Sequence, residues 1–195
     1  MSVTDRLDGL RRVFADDEVR ALSRRYFVAN GFDGTLTSIG VVVGAYLSGI
    51  GDGLTVIAIG LGAAVGLGTS GVWSVWEIER AETSRERNEI ENSMLITLAD
   101  TRLARDHRTE QAIHASAAAA GPVIGVVVVL SPFLLEGVIF TTFQALLAAI
   151  ALGILLLAAV GAYMGSISKQ RWYVAAIRMG LAGVVVAGIS VLLPG

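Results

Sequence analysis

Apolar positions in this chain fall into five long runs, at 28–50, 54–76, 115–135, 138–164 and 174–193. A helix covers the hydrocarbon core of a bilayer in about 20 residues, so each run predicts one transmembrane helix. The first is interrupted by a single acid, Asp33, and the second carries no charge. Arg178 stands about one turn inside the fifth. The breaks within the first and last groups are turn-like: Gly51-Asp52-Gly53 and Glu136-Gly137. A backbone group left unpaired in lipid costs several kcal/mol, which leaves helices or a closed barrel. Barrel strands alternate over ten or so residues, and these runs are too long and too evenly apolar. The predicted fold class is an all-α polytopic membrane protein, with five transmembrane helices and a helical insert between the second and third.

The polar segments complete the layout. Residues 1–27 precede the spans, 28–76 hold the first two, 77–114 form the insert and 115–195 hold the last three. In the first segment Val3, Leu7, Leu10 and Phe14 recur at helical spacing among charges. That pattern suits an amphipathic helix on the membrane surface. Asp16 is placed to cap a second short helix leading into the first span. A cleavable signal peptide does not fit, because the apolar run begins late, is too long and contains an acid. The insert has few glycines, no proline and many Glu, Arg, Leu and Ala, a helical composition.

Composition agrees. The chain is 54% hydrophobic and only 16% charged, against about 25% charged in a soluble domain; mean hydropathy is +0.67. With no cysteine, disulfides, zinc-thiolate centres and cysteine nucleophiles are excluded. The net charge of −2 says little, but charge placement says much. All 15 Lys and Arg lie before the first span, between spans two and three, or from Lys169 to Arg178. Five spans put these groups on one side, and the positive-inside rule makes that side cytoplasmic. The N-terminus is then cytoplasmic and the C-terminus outside, with the plasma membrane the expected location. The basic residues serve topology, so no nucleic-acid partner is expected.

Asp33 is the foremost candidate for chemistry. A charged side chain inside a membrane helix costs at least about 2.5 kcal/mol at the centre and is kept where it meets a cavity, a cation or a partner. Asn30, Thr35 and Thr37 supply neutral oxygens nearby, and Gly31 and Gly34 admit close approach. A carboxylate among neutral oxygens suits a divalent cation or a proton. The competing reading pairs Asp33 with Arg24, Arg25 or Arg178 at the interface. Glu79, Glu82, Glu86 and Glu89 fall at i, i+3, i+7 and i+10 on one helical face of the insert, flanked by Glu77 and Glu91. Such a stripe can gather divalent cations; equally, Arg80, Arg85 and Arg87 can pair with it as a solvated face. His107, Glu110 and His114 share another face and carry good iron or zinc donors, a pattern that chance also produces. Met94 is a thioether in a packing context. Small-residue pairs four apart, among them Gly40/Gly44, Gly62/Gly66, Gly121/Gly125 and Gly161/Gly165, predict close helix contacts within or between subunits. Pro122 and Pro132 are positioned to kink the third span. No phosphate-binding loop, serine elbow, zinc-protease helix or paired catalytic acids appear, so no enzyme is expected.

Residues 25–44, RYFVANGFDGTLTSIGVVVG, resemble the first span of the vacuolar iron transporter family. The pattern of Gly161 to Gly165, Lys169 and then Arg178-Met179-Gly180-Leu181-Ala182-Gly183 resembles its fourth span, loop and fifth span. The likeness is to the short prokaryotic members. It implies five spans, an acidic cytoplasmic insert after the second, and a homodimer. It also implies export of ferrous iron, often manganese, from the cytosol in exchange for protons. The family's first-span aspartate maps onto Asp33, and its insert glutamates map approximately onto Glu79, Glu82, Glu86 and Glu89. One departure stands out: 68–74 reads GTSGVWS, without the family's usual span-two methionine. Losing that soft donor shifts the expectation toward manganese or another divalent ion.

The expectation is therefore a divalent-metal transporter, Fe2+ or Mn2+ being cargo and no cofactor being required. The metal ligands would be Asp33, Glu79, Glu82, Glu86 and Glu89, with Asn30 and Thr37 supporting the path. The rival is a non-transporting membrane scaffold or metal sensor whose insert binds a partner.

Overall fold

The computed structural model describes residues 16–94 and 102–192, and within them five long helices and one short 3-10 segment. The helices are α1 (Asp17–Leu47), α2 (Gly53–Met94), α3 (Arg102–Leu130), α4 (Thr142–Ile167) and α5 (Trp172–Leu192); Ser131–Leu135 is the 3-10 segment. All five are long and apolar enough to cross a membrane. The N-terminal segment with Val3, Leu7, Leu10 and Phe14 lies outside the described residues.

Helix ends follow local chemistry. Asp16 caps α1, its carboxylate accepting the Glu18 N–H at 2.8 Å. The capped helix does not stop before the span: α1 runs unbroken for 31 residues. It closes in a turn where Gly49 takes φ +77° and the Ile50 N–H bonds the Ala45 carbonyl, the reversal that favours glycine at this place. Asp52 precedes α2 and accepts both the amide and the hydroxyl of Thr55 at 3.0 and 2.6 Å. These bonds hold its carboxyl below the usual carboxylate range, the hydroxyl contributing most.

Helices α1, α2 and α3 extend beyond the apolar runs at their polar ends, and two boundaries at the opposite end of the bundle differ as well. The third run ends in tighter winding, with Pro132 in the first turn of the 3-10 segment, where its missing N–H is not needed. The fourth helix begins at Thr142 rather than 138, because Thr141 and Gln144 cap each other reciprocally. Hydropathy alone cannot see either signal. Pro122 sits inside α3, which continues past it to Leu130.

Helix α3 is central, lying against α1 and α2, while α5 leans on α4. The α1/α3 crossing is made of small residues. A side chain at Gly31 would meet the Gly121 carbonyl at 3.3 Å, and one at Gly125 would meet Thr35 Oγ1 at 2.6 Å. Gly161 and Gly165 serve the α4/α5 crossing, against Ala175 and Trp172. Ile39, Val42, Val126, Val129 and Leu157 fill the core between these crossings. By contrast, a methyl group placed on Gly44, Gly62 or Gly66 would meet no neighbour within 4 Å. The glycine pairs thus divide into two used inside the chain, one open pair (Gly62/Gly66), and Gly40/Gly44, of which Gly40 faces Ser190 and Gly44 stays open.

Candidate functional site

Helix α1 carries Asp33, and its register decides which way the carboxylate looks. The buried residues Gly34, Thr35, Ser38, Ile39, Val42 and Val43 turn toward α3 and the core. Asp33 and Thr37, one turn apart, are exposed, in line with exposed Arg25 and Ala29. Asp33 makes no ion pair and no hydrogen bond among the described residues; Arg24, Arg25 and Arg178 do not reach it. The arginine-locked reading is not what the structure shows. Asn30 lies at the edge of this face, half-buried, its amide donating to the Tyr26 carbonyl at 2.9 Å. Its Oδ1 looks toward Gly71 of α2, where a methyl group would sit 3.5 Å from it.

The four stripe glutamates all stand on α2, which continues helically from the span to Met94. They do not share one environment. Glu79 is half-buried at the junction of α1, α2 and α3, where the Tyr26 hydroxyl donates to its Oε1 at 3.0 Å. The His114 imidazole of α3 lies beside it, Nδ1 to Oε1 3.2 Å, but off the hydrogen-bonding direction. Both ring nitrogens are buried and without a hydrogen-bond partner. The Tyr26 and His114 rings are 5.8 Å apart. Next to them, buried Gln111 donates a long 3.5 Å bond to Thr83.

Farther out, Glu82, Glu86 and Glu89 are exposed. Arg85 pairs with Glu89 at 3.0 Å, Arg80 with Glu77 at 3.7 Å and Arg87 with Glu91 at 3.2 Å. The helical spacing therefore ties part of the acidic surface to its own arginines. Exposed pairs of this kind are worth about 0–1 kcal/mol each and exchange readily. No three of His, Cys, Asp and Glu converge on one point among the described residues. Tyr26, level with Glu79, is seven residues from Asp33, so the two carboxylates stand about 10 Å apart along the bundle.

The sequence pattern does not reveal the Tyr26–Glu79–His114 grouping, because its members come from three helices. The helical face of His107, Glu110 and His114 is visible in the sequence, but it splits: His114 is buried at the junction, Glu110 has a partner of its own, and the His107 side chain lies outside the described residues. Met94 also falls at the end of what is described.

No family model matches the sequence. The chain is 32% identical over 166 residues to the uncharacterized protein MJ0645 of Methanocaldococcus jannaschii, a match covering 84% of each chain. That extent takes in most of the five-helix bundle, and the chain belongs to the same family as this archaeal protein.

Proposed function

We propose that the protein is a divalent-cation transporter, moving ferrous iron or manganese out of the cytosol in exchange for protons and working as a homodimer. The observation that carries this reading is Asp33: a carboxylate inside an apolar helix, exposed and unpaired among the described residues, with Thr37 one turn along the same face. A charge facing lipid costs at least about 2.5 kcal/mol at the helix centre and less toward the interface. A cation, a proton or a second subunit over this face removes the cost. The open glycines of α1 and α2, Gly44, Gly62 and Gly66, offer a second copy a surface for close approach. Two copies meeting there would set two Asp33 carboxylates around one path.

In this reading the arginine-bearing end is cytoplasmic, with the N-terminus inside, the C-terminus outside and the plasma membrane as the site of action. The α2 extension is a cytoplasmic insert. Glu82 and Glu86 collect the ion there, Glu79 receives it at the membrane edge, and Asp33 with Asn30 and Thr37 passes it on. Metal and proton compete for the Asp33 carboxylate, which couples the two fluxes. The test is metal uptake by the purified protein in liposomes under a pH gradient. Asp33→Asn abolishes flux while leaving the fold intact; full flux in that variant overturns the assignment.

The second reading, a scaffold or metal sensor, draws on the arginine pairing of Glu77, Glu89 and Glu91 and on the lack of a converging ligand set among the described residues. Titration calorimetry with iron, manganese, zinc and calcium separates the two. No binding of any of the ions supports the scaffold; binding lost on changing Glu82 and Glu86 supports transport or sensing, and the liposome flux assay divides those two.

A further inference from the structure

Helices α1, α3 and α4 meet in a seam on the side of α1 turned away from Asp33. At the arginine-bearing end this seam opens into a cleft of about 710 Å3, lined by Arg20, Ser23 and Arg24 of α1, Ile113 of α3 and Tyr163 of α4, with Asp17 on its rim. Arg24 is half-buried and has no ion pair or hydrogen bond among the described residues. Arg20 pairs with Asp17, but both are exposed, and such a pair yields readily to a stronger acceptor. The Ser23 hydroxyl oxygen is buried and unpartnered. Serine and threonine within helices ordinarily bond the carbonyl four residues back, as Thr35 and Ser38 of this same helix do at 2.8 and 2.7 Å. Ser23 is left as a donor lacking an acceptor, on the cleft that Arg20 and Arg24 also line.

The same seam continues into the span as a shallow groove, only about 30 Å3 in volume, lined by Phe27, Gly31 and Phe32 of α1, Ile124 of α3, and Leu156 and Val160 of α4. It lies one to three turns beyond Arg24, roughly 5–15 Å along the axis. A cationic, hydroxyl-bearing mouth above an apolar groove matches one kind of molecule, an amphiphile with an anionic head.

We propose that this seam binds one anionic phospholipid. Its phosphate sits between Arg20 and Arg24 and accepts the Ser23 hydroxyl, and one acyl chain lies along the groove. Basic pockets between membrane helices bind lipid headgroups in this manner. The mouth selects charge and the groove selects a lipid over a free anion.

The test is native mass spectrometry of the full-length protein released from detergent after exposure to phosphatidylglycerol, to phosphatidylcholine of the same chains, or to inorganic phosphate. Wild type retains phosphatidylglycerol about tenfold more than phosphatidylcholine, and millimolar phosphate does not displace it. Arg24→Gln and Ser23→Ala each lower retention several-fold with an unchanged thermal midpoint. Val160→Phe, which fills the groove and leaves the mouth intact, lowers it as well. Equal retention of both lipids by wild type overturns the proposal, and needs no variant. Phosphate displacing the lipid, with Val160→Phe without effect, overturns it in favour of a free-anion site. Loss of dimer in Arg24→Gln with lipid retention unchanged overturns it in favour of a second copy covering the cleft.

Discussion

Gly121→Ala is the sharpest test of how α1 is held. The new methyl carbon would stand 2.8 Å from the Gly31 amide nitrogen and 3.2 Å from its Cα, and closer still to the Phe27 carbonyl. All three are backbone atoms of α1, so no rotamer change relieves the contact. Carbon atoms in contact prefer about 3.5–4.0 Å, so the helices must part by roughly 0.5–1 Å. A gap of that size forfeits about a quarter to a half of the attraction of each pair it opens, along the most extensive helix contact in the bundle. Overpacking of this kind costs about 1–3 kcal/mol. Alanine's helix preference over glycine returns up to about 1 kcal/mol in water, and less here, where the segment stays helical in the membrane when unpacked. The net expectation is a loss of about 1–2 kcal/mol by equilibrium unfolding in mixed micelles. Gly188→Ala on α5 is the control: its methyl group meets nothing within 4 Å, and stability stays within about 0.5 kcal/mol of wild type. If Gly121→Ala matched that control or exceeded wild type, the backbone-to-backbone crossing would be refuted.

Three further outcomes follow from particular contacts. Tyr26→Phe removes the hydrogen bond that the phenol donates to half-buried Glu79 and lowers unfolding stability by about 1–2 kcal/mol; no change shows the bond does not hold the junction. Asp52→Ala lowers the thermal midpoint at neutral pH, because the fold depresses that carboxyl's pKa and its contribution is full above the unfolded value. The contribution is lost as pH falls through the folded value, so the gap to wild type narrows below about pH 4, and a gap independent of pH contradicts the cause given. Gly66→Leu, on an open face, shifts the proposed dimer toward monomer in sedimentation measurements without lowering monomer stability. An unchanged dimer places the contact elsewhere.

The five helices are legible in the sequence because lipid allows so few solutions: run length and charge gaps place each span, while α1, α2 and α3 run on as helix beyond their apolar runs, from Asp17, to Met94 and from Arg102. Hydropathy does not reveal the chemistry superimposed on it. The reciprocal cap at Thr141 and Gln144 moves a helix start into a stretch that is apolar on either side. Asp16 is legible as a cap, yet the helix it starts merges with the span. The acidic stripe is legible as one helical face, while its unequal burial is not. Helical spacing places Glu79 and Glu82 side by side, but only tertiary packing brings Tyr26 and His114 to Glu79. Likewise Asp33 stands out as an acid among apolar residues, and its outward direction follows only once α3 claims the opposite side of α1.

Helix α2 has no break in its 42 residues, and so spans roughly 60 Å, about twice the hydrocarbon thickness. Span and acidic extension therefore form one continuous helix, held against α1 and α3 as far out as Glu79 and Thr83. A load on the exposed turns beyond Thr83 therefore reaches Glu79 through helical backbone, with no loop in between to absorb it.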